Sequence, residues 1–314
     1  MDRLAYTLRR TAQMLPVLLG VTVLVFFLVH LIPGDPAATI LGVRATPDLI
    51  AALHSRWGLD QSLPAQYWLF IKRLLHGDLG TSFFYRTSVG SLVADRTPVT
   101  VFLLLYASIL SLLMAVPLAL LAATRKDGLR DQIVRAIPVV GLGMPPFWTG
   151  IMLVLVFAAE VFHIFPVGGY GHGALGHLES LFLPALTIAI GIAPILIRSL
   201  RASLLAVLES DFITTARSKG LPERRVLVRH ALRNAIMSML TVLAVNLGFL
   251  VGGTVVIEKI FALPGLGGLM FDGIANRDFA VVQGVTLVFA ILVVVVNLTS
   301  DIVYSLLDPR VRFD

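Results

Sequence analysis

His163, His172 and His177 share one glycine-rich stretch, and such a set could bind a metal ion, but no carboxylate joins them at ligand spacing and no metal site is expected. The chain has no G-x-x-x-x-G-K-[ST] phosphate loop and no Gly-Lys dipeptide, which excludes nucleotide hydrolysis by that route. Gly265-Leu266-Gly267-Gly268 fails the dinucleotide fingerprint G-x-G-x-x-G and follows no strand pattern. The absence of cysteine removes disulfides, thiolate chemistry and Cys-based zinc sites. No nucleophile stands beside a base, so neither enzyme chemistry nor a cofactor is expected. What does stand out is Glu209 to Asn234, ESDFITTARSKGLPERRVLVRHALRN, which carries Arg217, Lys219, Arg224, Arg225, Arg229 and Arg233 between two strongly hydrophobic blocks. A segment so charged cannot sit in lipid.

The elements that must present those residues can be read locally. Asp211 reads as the start of a helix over Phe212 to Ser218, because its carboxylate can accept amide bonds of the first turn. Gly220 reads as its stop, since glycine alone takes a left-handed cap without strain. Pro222 then opens a second short helix, its missing N–H costing nothing at a first helical position. The expected result is a sharp helix-turn-helix elbow.

Around the elbow the chain is 57% hydrophobic and only 14% charged, the composition of an integral membrane protein. Six apolar runs, at about 13–32, 99–123, 136–160, 181–200, 236–257 and 282–306, are each long enough to cross the hydrocarbon core, and an all-α membrane protein of six spans is expected. The first run follows Arg3, Arg9 and Arg10 as a signal peptide would, but it lacks a small-residue cleavage site and more spans follow it. Prolines such as Pro117, Pro138, Pro145, Pro146 and Pro194 should mark kinks or helix ends, and Gly248 with Gly252 forms a small-xxx-small pair suited to helix packing. Residues 33–98 form a long polar connection containing two proline-started amphipathic helices, Pro47 to Arg56 and Pro64 to Leu75. Its Trp57, Tyr67 and Trp68 are candidate contacts for an external partner, or pack on the spans or the membrane interface.

Lysines and arginines of the short connections divide 17 to 2 between the two sides, and the net charge of +6 is thereby a matter of orientation rather than of nucleic-acid binding. The rule places residues 1–12, residues 307–314 and the elbow at 201–235 in the cytoplasm. Within the spans the charges lie only near the ends, at Glu160, Arg198 and Asp301, while Asn246 and Asn297 read as interhelical hydrogen-bonding groups. An ion-coupled carrier needs titratable groups at depth. A bundle without them, but with a charged elbow, suggests that energy arrives from another subunit.

At the elbow, Asp211-Phe212-Ile213, Thr214-Thr215-Ala216-Arg217-Ser218-Lys219-Gly220-Leu221 and His230-Ala231-Leu232-Arg233-Asn234 resemble the EAA-type coupling loop of ABC importer permeases, in the version of the dipeptide/oligopeptide family. Thr214-Thr215-Ala216 stands where the general motif has Glu-Ala-Ala. His30 to Pro36, Gly58-Leu59-Asp60, Gly77-Asp78-Leu79-Gly80, Phe261 to Gly268, Arg277-Asp278, Gln283-Gly284, and Asn297 through Asp301, Tyr304 and Asp308-Pro309-Arg310 are similar to the family's signatures. The likeness covers nearly the whole chain and is to the first of two permease subunits, the one with the long first outer loop. It departs at Ser238, where many members have proline, and at Phe279-Ala280, where a Tyr-Pro pair is usual.

The resemblance implies a bacterial cytoplasmic-membrane permease. Its implied partners are a second permease, two ATP-binding subunits, an extracytoplasmic binding protein and the bilayer, with no nucleic acid. The implied coupling residues are Asp211, Thr214, Thr215, Ala216, Arg217, Lys219 and Gly220, with Arg217 and Lys219 facing the ATPase or lipid head groups. Dipeptides or short oligopeptides are the implied substrates; glutathione, nickel complexes and oligosaccharides are carried by similar permeases. A stand-alone carrier or channel is the reading from another class.

Overall fold

Why the helices begin and end where they do is mostly a matter of prolines, glycines and buried valines. The computed structural model describes residues 3–31, 41, 45–124 and 126–307, and their regular structure is helical apart from one isolated antiparallel bridge, Thr81 to Ser88. Residues 32–36 and Asp308-Pro309-Arg310, and the side chains of His30, Trp57, Asp301 and Tyr304, lie outside the described residues. Helix α1 is Arg3–Leu31, with Pro16 inside it. Helix α2, Pro47–Trp57, starts at Thr46, whose hydroxyl oxygen accepts from the Leu49 N–H at 3.4 Å, and stops at Gly58 in the left-handed region. Helix α3 is Leu63–Leu75 and ends before Gly77, also left-handed.

Helix α4, Val89–Thr124, begins ten residues before the expected span, because Val89 and Val93 are held in an apolar cluster, and it runs on through Pro98. The run expected at 136–160 is divided into α5, Leu129–Gly143, and α6, Pro146–Val154, which continues through a π-turn at Leu155–Ala159. Pro145 is extended, as a residue preceding another proline tends to be, and the break falls at the expected prolines. Helix α7, Gly173–Leu208, has 36 residues and keeps Pro184 and Pro194 inside it. At 1.5 Å per residue it is about 54 Å long, well beyond the roughly 30 Å hydrocarbon core, so its ends reach past the membrane. Helix α8 is Asp211–Ser218, α9 is Glu223–Ile260, α10 is Leu266–Ala275 and α11 is Phe279–Leu307. Among the described residues four helices, α4, α7, α9 and α11, are long and apolar enough to cross a membrane, and Gln13–Phe27 and Pro146–Ala159 are shorter apolar helices at the other two expected span positions.

The chain divides into two units. The first takes the residues up to Val99 together with Gly265–Val294. Its core is Val89, Val93, Leu266, Leu269, Val281 and Val285. Asp278 organises its polar part: fully buried, the carboxylate accepts from the Ser82 hydroxyl at 2.5 Å, the Phe84 N–H at 3.2 Å and the Val281 N–H at 3.3 Å, the last bond capping α11. Gly284 is a glycine for want of room, since a β-carbon there would lie 2.5 Å from Val89 Cγ1. Its neighbour Gln283 donates from its amide to the Val25 carbonyl at 3.2 Å. These contacts give physical roles to Asp278, Gln283 and Gly284, which the sequence marks only by resemblance.

The second unit comprises Thr100–Pro264 and the residues from Val295 on. Helix α7 is its centre, with 72% of its apolar window buried against 22% for α9, and α5, α6 and α9 pack on it. Close approach is made at Gly141, where a β-carbon would lie 2.8 Å from Pro194 Cγ, and at Gly150, against Phe261 and Thr187. Gly252, one of the expected glycine pair, has nothing within 4 Å of a β-carbon built on it. Glu258, which the sequence places in a connection, is inside α9 and fully buried, accepting from the Thr100 hydroxyl at 2.6 Å. Asn246 donates to the Val242 carbonyl at 2.7 Å in its own helix rather than across helices.

Candidate functional site

The elbow is built by a short amphipathic helix folded back on a wide turn. Helix α8 turns Ile213 and Ala216, three residues apart on one face, onto the π-turn Val226–Ala231, where Val226 and Ala231 are fully buried. Its start differs from expectation by one residue: Ser210 holds the extended N-cap position and Asp211 is the first helical residue, its backbone carbonyl accepting from the Thr215 hydroxyl at 2.9 Å. Asp211 therefore contributes as an acid beside the positive end of the helix rather than as a cap.

The stop is a Schellman motif. Gly220 has φ +77°, its N–H donates to the Arg217 carbonyl at 2.9 Å, and the Leu221 N–H reaches back to the Ala216 carbonyl at 3.4 Å. Pro222 occupies the N-cap of the next helix rather than its first turn. That helix is not short, because Glu223–Arg225 runs through the π-turn into Leu232–Ile260 as one continuous rod. The second arm of the elbow is thus the start of a long apolar helix.

The two arms of the elbow are tied by an ion pair that the sequence analysis missed. Arg217 donates to Glu223 through Nη2 at 2.7 Å and Nε at 3.2 Å, a two-point contact that the planar guanidinium favours. Hydrogen bonding to the Glu223 carboxylate raises the Arg217 pKa further, keeping the charge in place. Both side chains are about half exposed, so the pair fixes geometry more than it adds stability. The signal was available, because Glu223 stands six residues after Arg217 across a Gly-Leu-Pro turn.

Of the residues expected in the coupling set, Asp211, Thr214, Thr215, Arg217, Lys219 and Gly220 are exposed together on the elbow, and Ala216 is turned inward. Phe212, absent from that set, is 47% exposed and is the large apolar group of the outward face. A surface with one aromatic and several charges is suited to docking. Among the expected external contacts, Tyr67 packs on α1, its hydroxyl 2.8 Å from Thr22 Oγ1 and its ring edge-on to Phe26, whereas Trp68 is 66% exposed. His163 and His172 line an open recess of about 500 Å³ with Glu179, and His177 stacks on Tyr170 with ring centroids 4.0 Å apart.

Comparison with known proteins shows the family. Residues 115–313 match the family described as binding-protein-dependent transport system inner membrane component, and residues 3–104 match the N-terminal domain described for the same systems. The chain belongs to this family. A peptide transport system permease protein of Brucella abortus (strain 2308) is 41% identical over 313 residues, covering 99% of both chains. The glutathione transport system permease protein GsiC of Salmonella choleraesuis (strain SC-B67) is 36% identical over 310 residues, again with 99% of both covered. A chain of the MetNI methionine ABC transporter in an inward-facing conformation has the same fold over 69% of this chain and 96% of its own, with TM-score 0.57 and 17% identity. The chain is a permease subunit of an ABC importer, a multi-pass membrane transport component and not an enzyme.

Proposed function

We propose that this permease forms, with a second permease, the path by which dipeptides or short oligopeptides enter the cell, and that the elbow couples the path to ATP hydrolysis on two separate subunits. The observation that carries the reading is the elbow itself: two arms held by the Gly220 cap and the Arg217–Glu223 pair, continuous with α9, and presenting Phe212, Thr214, Thr215 and Lys219 outward. A short helix so fixed transmits a displacement of a few ångströms that a flexible loop would absorb. The ATP-binding subunits would receive this face on the cytoplasmic side, with both termini on that side by the distribution of basic residues.

On the opposite side a binding protein would deliver substrate, with Trp57 and Trp68 of the 33–98 connection as candidate contacts. Glutathione, itself a small peptide, is a second substrate reading, favoured by the 36% identity to a glutathione permease. Purification of the assembled complex with its binding protein, followed by mass spectrometry of the bound ligand, tests the substrate. Short peptides support the first reading and glutathione the second. Uptake by the chain without ATP-binding subunits would overturn the coupling role in favour of a stand-alone carrier.

A further inference from the structure

Helix α5 is fastened to α7 at two places. Deep in the unit, Gly141 is pressed against Pro194; near the other end of the pair, Asp131 in the first turn of α5 meets Arg201 of α7. The Asp131 side chain is fully buried, and Arg201 donates to its two oxygens through Nε at 2.5 Å and Nη2 at 2.6 Å. The Asp127 N–H donates to the same carboxylate at 3.0 Å, and Arg135 lies 3.6 Å away on the next turn. A third tie joins Lys126 to Glu209, at 3.4 Å, and Glu209 is the first residue after α7, at the root of the elbow. The connection before α5 is thereby attached to the root of the elbow.

Two fastenings on antiparallel helices remove both sliding and pivoting. One alone would leave a hinge. We infer that the Asp131–Arg201 clamp makes α5 a mechanical follower of the elbow, so that a displacement entering at Asp211–Ser218 moves α5 together with α7. The inference rests on the coupling role proposed above for the elbow. Asp131 and Arg201 are positioning residues: they touch neither substrate nor nucleotide, and act by holding one helix to another. Breaking such a pair on one side is costly because the buried partner charge is left uncompensated. The pair's planar two-point geometry also distinguishes arginine from lysine at position 201.

The test uses the reconstituted complex with its ATP-binding subunits and binding protein, with peptide as the transported probe. Asp131→Asn keeps the shape and removes the charge; Arg201→Lys keeps a charge and removes the two-point contact. Spin labels on cysteines at Leu129 and Ala202, both exposed positions in a chain without cysteine, report the α5–α7 separation. With the clamp intact, one narrow distance distribution is expected both without nucleotide and with a non-hydrolysable ATP analogue. In Asp131→Asn the distribution should broaden or split when the analogue binds, and peptide transported per ATP hydrolysed should fall by roughly fivefold or more, the lower end of coupling between distant sites. Arg201→Lys should fall between.

Unchanged distances and unchanged transport per ATP in Asp131→Asn would overturn the clamp. If Gly220→Val uncouples transport while Asp131→Asn does not, the elbow stands and the clamp alone fails. If Gly220→Val is also fully coupled, the reading on which the clamp rests has failed. Loss of assembled complex in Asp131→Asn, with normal distances and coupling in Arg201→Lys, would make the pair a folding element only and would likewise overturn the inference.

Discussion

Gly220 is the position at which the elbow is easiest to perturb cleanly. A β-carbon there would meet nothing within 4 Å, so substitution changes no packing in this chain and acts through the backbone alone. With φ at +77°, an L side chain costs about 1–2 kcal/mol, and a β-branched one stands at the upper end or beyond. The alternative is to open the cap, giving up the bonds from Gly220 to Arg217 and from Leu221 to Ala216, each worth about 0.5–1.5 kcal/mol net. Kept closed, the strained cap raises the docking geometry by about 1–2 kcal/mol relative to an opened elbow, which is roughly 5–30-fold in the ratio of the two. Gly220→Val should therefore leave expression and insertion near normal while strongly reducing uptake and the stimulation of ATP hydrolysis by loaded binding protein. Gly220→Ala should be milder, and Gly220→Asn milder still, because asparagine visits the left-handed region readily. Equal loss in all three would point to a steric contact with a partner instead of the backbone. Full activity in Gly220→Val would refute the reasoning.

Asp278→Ala should destabilise the first unit by about 3 kcal/mol or more, since it strips the acceptor from three donors and the cap from α11, while Asp278→Asn keeps one acceptor oxygen and costs less; thermal unfolding of the purified protein checks the order. Hydrogen bonds from Arg201 hold the Asp131 carboxyl below its ordinary pKa, so its stabilising contribution is present at and above the usual carboxylate range and is lost as pH falls through the lowered value. Unfolding followed across acid pH should show that loss in the parent and not in Asp131→Asn. Single cysteines at Leu129 and Leu175, which are 73% and 83% exposed, should label from opposite sides of the membrane, and labelling of both from one side would refute the topology.

The elbow was legible because its signals are local: a glycine after an eight-residue polar helix and a proline two residues on dictate the cap and the restart without reference to the rest of the chain. The long apolar helices were legible from hydropathy for the same reason. Their ends were not, since α4 starts at Val89 through burial against α10 and α11 residues far away in sequence. The polar pairs were the least legible. Asp131 with Arg201, Thr100 with Glu258, and Ser82 with Asp278 are separated by 70, 158 and 196 residues, and no periodicity announces such a meeting. Glu258 also shows how a hydropathy boundary misleads: a carboxylate ends an apolar run in sequence, yet here the helix carries it on to a buried hydroxyl.

The claim that the elbow is the docking surface is tested most directly at Phe212, the exposed aromatic of α8. A photocrosslinking amino acid placed there, and for comparison at Leu175, in the assembled complex with binding protein and ATP analogue, identifies what each position touches. The account predicts that Phe212 crosslinks to an ATP-binding subunit and Leu175 does not. Crosslinking of Phe212 to lipid alone, in a complex that still transports peptide, would contradict it.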